Sequence, residues 1–124
     1  MNAVPRHVLL VEDEPGAMIT VSLLLEMMGY RVTQAANGKR ALETLKLEIP
    51  DIVVTDYMMP HMNGIELIKA MQAEPAFAPV PVILTSAALP PEIDTSRVAA
   101  GFLSKPYRID ALVALIGRVL DQQG

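Results

Sequence analysis

Short apolar runs with no polar face recur along the chain: Val8-Leu9-Leu10-Val11, Ile52-Val53-Val54 and Val82-Ile83-Leu84. Runs of this length without alternation suit strands buried on both sides, as in a parallel sheet covered by helices. The first strand is read as His7 to Val11, ending at Glu12-Asp13-Glu14-Pro15. Tyr30 to Ala35 is a second strand, more polar and alternating, which suits a sheet edge. The third spans about Asp51 to Thr55, the fourth Val82 to Thr85, and the fifth Gly101 to Ser104, broken by Lys105-Pro106.

Between them the spacing of apolar residues changes to three and four. A helix from about Pro15 to Met28 carries Ala17, Val21, Leu24, Leu25 and Met28 on one face, and Gly29 ends it. Pro15 is accepted in a first helical turn, and the acids before it suit a helix N-terminus. The same helix leaves Ile19, Leu23 and Met27 off the inward face, either against the last helix or as a docking surface. Asn37-Gly38 opens a second helix with Ala41, Leu42 and Leu45 inward. A third runs from about Gly64 to Ala73, with Ile65, Leu67, Ile68 and Met71 apolar. The last, from about Arg108 to Leu120, groups Ile109, Leu112, Val113, Ile116, Val119 and Leu120. Glu74 to Pro81 is a proline-rich connection. The segment from Leu89 to Val98 is a poor helix, opened by Pro90-Pro91 and with weak formers at its centre.

Strands alternating with helices imply an α/β, doubly wound, five-stranded parallel sheet with right-handed crossovers. The order 2-1-3-4-5 of a flavodoxin-like fold fits best, because it places the first strand in the middle beside the third. Ligands in such sheets bind beyond the carboxyl ends of the strands, at the switch point. That is where Glu12, Asp13 and Asp56 meet.

The composition narrows the chemistry. The chain has 124 residues, 52% hydrophobic and 19% charged, enough for one globular domain (1–124, core about 7–120). It has no cysteine, which excludes disulfides and thiolate metal sites. No apolar run has the length of a membrane span, the N-terminus lacks a signal-peptide pattern, and there is no repeat. A net charge of −4 without a basic cluster argues against nucleic-acid binding. A cytoplasmic domain is expected. His7 and His61 are single histidines, expected to be solvated.

Three carboxylates in one cleft repel, each close pair by about 4 kcal/mol at an intermediate dielectric. A hard divalent cation relieves this, and magnesium suits few carboxylates, some waters and a phosphate oxygen. Ser86 ends the fourth strand and Lys105 the fifth, on the same edge. A hydroxyl and an ammonium flanking the acids fit a phosphoryl group on Asp56.

Four stretches taken together carry a family resemblance: Leu10-Val11-Glu12-Asp13-Glu14, Asp56 to Gly64, Pro81 to Ala87, and Phe102-Leu103-Ser104-Lys105-Pro106. The chain resembles the receiver (CheY-like) domain of two-component response regulators over about His7 to Leu120. The resemblance implies that Asp56 accepts a phosphoryl group from a histidine kinase or histidine phosphotransfer protein. It implies that Glu12, Asp13, Asp56 and the backbone carbonyl of Met58 hold Mg2+. By the same resemblance Ser86 is the switch hydroxyl, Lys105 the phosphate-pairing cation and Phe102 the aromatic switch. Met58 and Ala88 tune phosphoryl lifetime, and Lys105-Pro106 is cis. A receiver catalyses only its own phosphorylation and dephosphorylation, so no enzyme is expected, and the downstream target is another protein. The departure lies between Ser86 and Lys105, shorter than usual in the family by about one helical turn. Helix four is therefore expected to be brief or irregular. Two other classes fit parts of the pattern: an Mg-dependent phosphatase or phosphotransferase with an aspartyl nucleophile, and a pseudo-receiver that binds partners without phosphorylation. The first usually needs a further general acid and a substrate cap.

Overall fold

The computed structural model describes residues 4–123. In chain order the elements are β1 (His7–Val11), α1 (Pro15–Met27), β2 (Arg31–Ala35), α2 (Gly38–Leu47), β3 (Ile52–Asp56), α3 (Gly64–Gln72), β4 (Val82–Ser86), α4 (Thr95–Val98), β5 (Gly101–Ser104) and α5 (Ile109–Gln123). The strands pair in parallel in the order β2-β1-β3-β4-β5, as the alternation implies.

The three unbroken apolar runs become β1, β3 and β4, buried along their whole length in the sheet centre. Alternate residues feed two cores. Leu9, Val53 and Leu84 face Ala41 and Leu45 of α2 and Leu67, Ile68 and Met71 of α3. Val8, Leu10, Val54 and Ile83 face Met18 and Leu25 of α1 and Leu112 and Ile116 of α5. Deleting one of these Leu, Ile or Met side chains to Ala costs about 2–5 kcal/mol. No helix among the described residues is long and apolar enough to cross a membrane.

Local signals set the helix ends. The Glu14 carboxylate accepts from the backbone N–H groups of Gly16 (3.0 Å) and Ala17 (2.6 Å), satisfying two donors at the start of α1. Gly29, at φ +96°, takes the left-handed conformation that closes it. Asn63 and Glu66 form a reciprocal capping box on α3, both bonds 2.9 Å.

Three expectations need correction. The inward face of α1 is centred on Met18, Ser22 and Leu25, with Ala17, Val21 and Leu24 half-buried. Met28 is not on that face: it lies beyond the last turn, at the C-cap, and is 59% exposed. His7 is not solvated either. It is buried at the start of β1, between β2 and the chain entering β3: Asp51 accepts from the His7 backbone N–H (2.7 Å), and the imidazole Nε2 lies 2.6 Å from Thr33 Oγ1. His61 is exposed, as expected. The fourth helix is a single turn, Thr95–Val98, as its prolines and shortened span imply.

Candidate functional site

Register builds the site. Val11 of β1 pairs with Thr55 of β3, so the next residues, Glu12 and Asp56, emerge side by side at the carboxyl edge of the sheet. Asp13 follows Glu12 into the turn before α1. One carboxylate oxygen from each of the three lies within 4.8 Å of the others. Glu12 and Asp56 are nearly buried, at 7% and 8% exposure, whereas Asp13 is exposed. An all-oxygen donor set of this kind is able to coordinate a divalent cation.

Lys105, just past β5, reaches across the edge. Its Nζ donates to Glu12 Oε2 at 3.0 Å and to Asp56 Oδ2 at 3.1 Å. Burial alone would lower the pKa of this ammonium, but the two carboxylate hydrogen bonds and charges outweigh it and hold the pKa above the ordinary lysine value. Glu12 is pushed up from the usual carboxylate value. Burial is the main cause and the Asp56 charge adds to it, against the opposing pull of Lys105. The Lys105-Pro106 bond is cis.

Ser86 ends β4 beside this group and is buried. Its hydroxyl donates to the Ala88 carbonyl at 2.8 Å and accepts from the Ala88 N–H at 3.1 Å, so it is engaged with the backbone of the following loop. Phe102, on the edge strand β5, is half-buried. It packs on the same core as Leu89, Ile93 and Val98 of the β4–β5 connection.

Met58 is 66% exposed and lines an open depression of about 490 Å³ with Asp13, Tyr57, Met59, Pro60 and Asn63. Ala88 is exposed on the opposite loop. The structure thus brings together Glu12, Asp13, Asp56 and Lys105. Ser86 closes the β4 side with its hydroxyl turned to Ala88, and Phe102 lies one strand further out.

Glu14, one of the acids expected at the start of α1, caps that helix at the rim. One side chain at the site was not singled out in the sequence. Tyr107 lines a second depression, about 430 Å³, with Glu12, Ala17, Val21, Ala87, Lys105 and Pro106. Burial raises the Tyr107 phenol above its ordinary pKa, against the Lys105 charge. Its place directly after Lys105-Pro106 was the available signal.

Beneath the site, Gly64 fixes the β3–α3 junction. Its N–H donates to the Tyr57 carbonyl at 2.8 Å. A Cβ there would stand 2.6 Å from both the Asp56 carbonyl oxygen and Leu84 Cδ1.

Comparison with known proteins agrees with this geometry. The response regulator receiver domain pattern matches residues 8–117. The two-component response regulator ORR3 of Oryza sativa subsp. indica is 36% identical over 122 residues, covering 92% of this chain and 90% of that protein. The transcriptional regulatory protein GlrR of Escherichia coli is 33% identical across 98% of this chain, which spans only 28% of GlrR. Among solved structures, the Vibrio cholerae chemotaxis protein CheY4 superposes with a TM-score of 0.87 at 30% identity, covering 94% of this chain and 99% of CheY4.

Proposed function

Because this chain belongs to the response regulator receiver domain family, we propose that it is a phosphoryl-accepting switch with Asp56 as acceptor. The observation that carries the reading is one nearly buried aspartate joined to two further acids and one ammonium at the carboxyl edge of the sheet. Receiver domains are not classical enzymes, and this chain acts on itself. An Asp56 carboxylate oxygen attacks the phosphorus of a phosphohistidine on a histidine kinase or phosphotransfer protein. The new O–P bond forms as the P–N bond breaks, and the imidazole nitrogen leaves with the electron pair. Water later cleaves the acyl phosphate, returning the carboxylate and inorganic phosphate.

Glu12, Asp13, Asp56 and the Met58 carbonyl would hold Mg2+, whose charge would offset that of the acids and the phosphoryl oxygens. Lys105 exchanges its hydrogen bond to Asp56 for one to a phosphoryl oxygen. Ser86 gives up Ala88 to donate to another, which frees the loop carrying Ala88 and Leu89 and lets Phe102 repack. The exposed residues Ile19, Leu23 and Met27 of α1 form part of the surface that meets the donor's helices.

The test is incubation of the chain with Mg2+ and a small phosphodonor, followed by intact mass. One added phosphoryl group in the wild type and none in Asp56→Asn is expected. No adduct on the wild type would leave the pseudo-receiver reading, and continuous release of phosphate from small esters the phosphatase one.

A further inference from the structure

We propose that His7 is an acid-sensitive latch: taking up a proton at its buried Nδ1 loosens the end of the sheet opposite Asp56. His7 is 5% exposed, and its Nδ1 is a buried nitrogen without a hydrogen-bond partner among the described residues. The other ring nitrogen, Nε2, lies 2.6 Å from Thr33 Oγ1. The cheaper neutral tautomer has Nε2–H donating to Thr33, because a buried lone pair without a partner costs less than a buried N–H without an acceptor. Proton uptake from solvent turns that lone pair into an N–H, and adds a charge in the same dry place.

The charged groups around the ring do not welcome it. Arg31 comes from β2, Glu48 from the chain after α2 and Asp51 from the chain entering β3. Arg31 repels an imidazolium. Glu48 and Asp51 would attract one, but both have other partners. Glu48 binds the Arg31 guanidinium through both oxygens. Asp51 accepts from the His7 backbone N–H at 2.7 Å and lies 4.0 Å from Arg6, which precedes β1.

Burial first, and the Arg31 charge second, hold the His7 pKa below 6.5. The sign follows. A base whose folded pKa is depressed contributes its full stability above 6.5, and loses it as pH falls through the folded value. The same cluster joins three elements, since Asp51 N–H donates to the His7 carbonyl (2.8 Å) and Arg31 N–H to the Arg6 carbonyl (2.9 Å). Its opening frays β1, β2 and the entry to β3 together.

The chain has two histidines, so one substitution isolates the ring. In His61→Asn, an NMR titration follows the His7 imidazole alone, and it should titrate below the ordinary histidine range. Acidification should lower the exchange protection of the Arg31 and Asp51 amides more than that of Val53. Thermal melts at about pH 7.5 and 5.5 should show a loss several degrees larger in the wild type than in His7→Val. A ring that titrates at or above the ordinary value overturns the proposal, and so do equal losses in the two proteins. The NMR measurement stands even if His7→Val does not fold. None of these readouts involves phosphorylation, so their failure would leave the reading of Asp56 untouched.

Discussion

Lys105 and Asp56 are joined across the carboxyl edge of the sheet, ammonium to carboxylate at 3.1 Å, and the same ammonium holds Glu12 at 3.0 Å. One cation thus serves two nearly buried acids at the carboxyl ends of neighbouring strands. Lys105→Met leaves both without it. In metal-free buffer at neutral pH the variant should lose about 1–3 kcal/mol, read by urea denaturation. The pH dependence has a definite sign: the folded pKa of Lys105 is raised, so its contribution is fully present below 10.5 and lost only as pH rises through the folded value. Wild type and variant should therefore converge in strongly alkaline solution.

Glu12→Gln should have the opposite effect. Its carboxyl is held above 4.5 chiefly by burial, so the folded chain binds that proton more tightly than the unfolded one. Stability from this group is greatest below 4.5 and declines as pH rises through the folded value. Removing the charge should raise the metal-free Tm at pH 7 by a few degrees, which is about 1 kcal/mol for a chain of this size. The gain should vanish in acid. Added Mg2+ should stabilise the wild type more than the variant.

Two glycines give contrasting outcomes. In Gly64→Ala the new methyl meets backbone and a core leucine at 2.6 Å, groups that cannot swing away. A loss of about 1–3 kcal/mol is expected, with slower phosphoryl uptake, because the Asp56 carbonyl is one of the atoms displaced. Gly117 in α5 has nothing within 4 Å of a Cβ, so Gly117→Ala should stabilise by about 0.5–1 kcal/mol. Thermal melts of the pair check both signs.

Ile19 and Leu23 are 64% and 56% exposed, so replacing both with Ser should cost about 0.5 kcal/mol or less. Transfer from a protein donor should nonetheless slow by about tenfold, the equivalent of about 1.4 kcal/mol of lost contact. Uptake from a small phosphodonor should be unchanged. Equal slowing with both donors would remove the docking role.

The sheet order and the acid cluster were legible because both depend on local signals. Buried strands announce themselves as unbroken apolar runs, and an acid directly after Val11 or Thr55 must emerge at one edge once β1 and β3 are neighbours. The short α4 was legible from Pro90-Pro91. The face of α1 was less so. Apolar residues surround most of that helix, so its pattern gives little direction. Ser22 is buried because its hydroxyl accepts from Gln34 Nε2, 2.9 Å away on β2. His7 escaped for a similar reason: the groups it meets, Thr33 on β2 and Asp51 before β3, lie far along the chain, and spacing around His7 itself carries no trace of them.

The two walls of the site are built differently. On one side Gly64 is wedged against the Asp56 carbonyl, and a reciprocal cap clamps α3 in place. On the other, the connection from Ser86 to β5 holds a single helical turn, seated on the core through Leu89, Ile93 and Val98. If Asp56 takes up a phosphoryl group as proposed, the wedged and capped wall would act as the anvil, and the movement proposed for Ser86 and Phe102 would fall to the opposite connection, which would give the signal a direction.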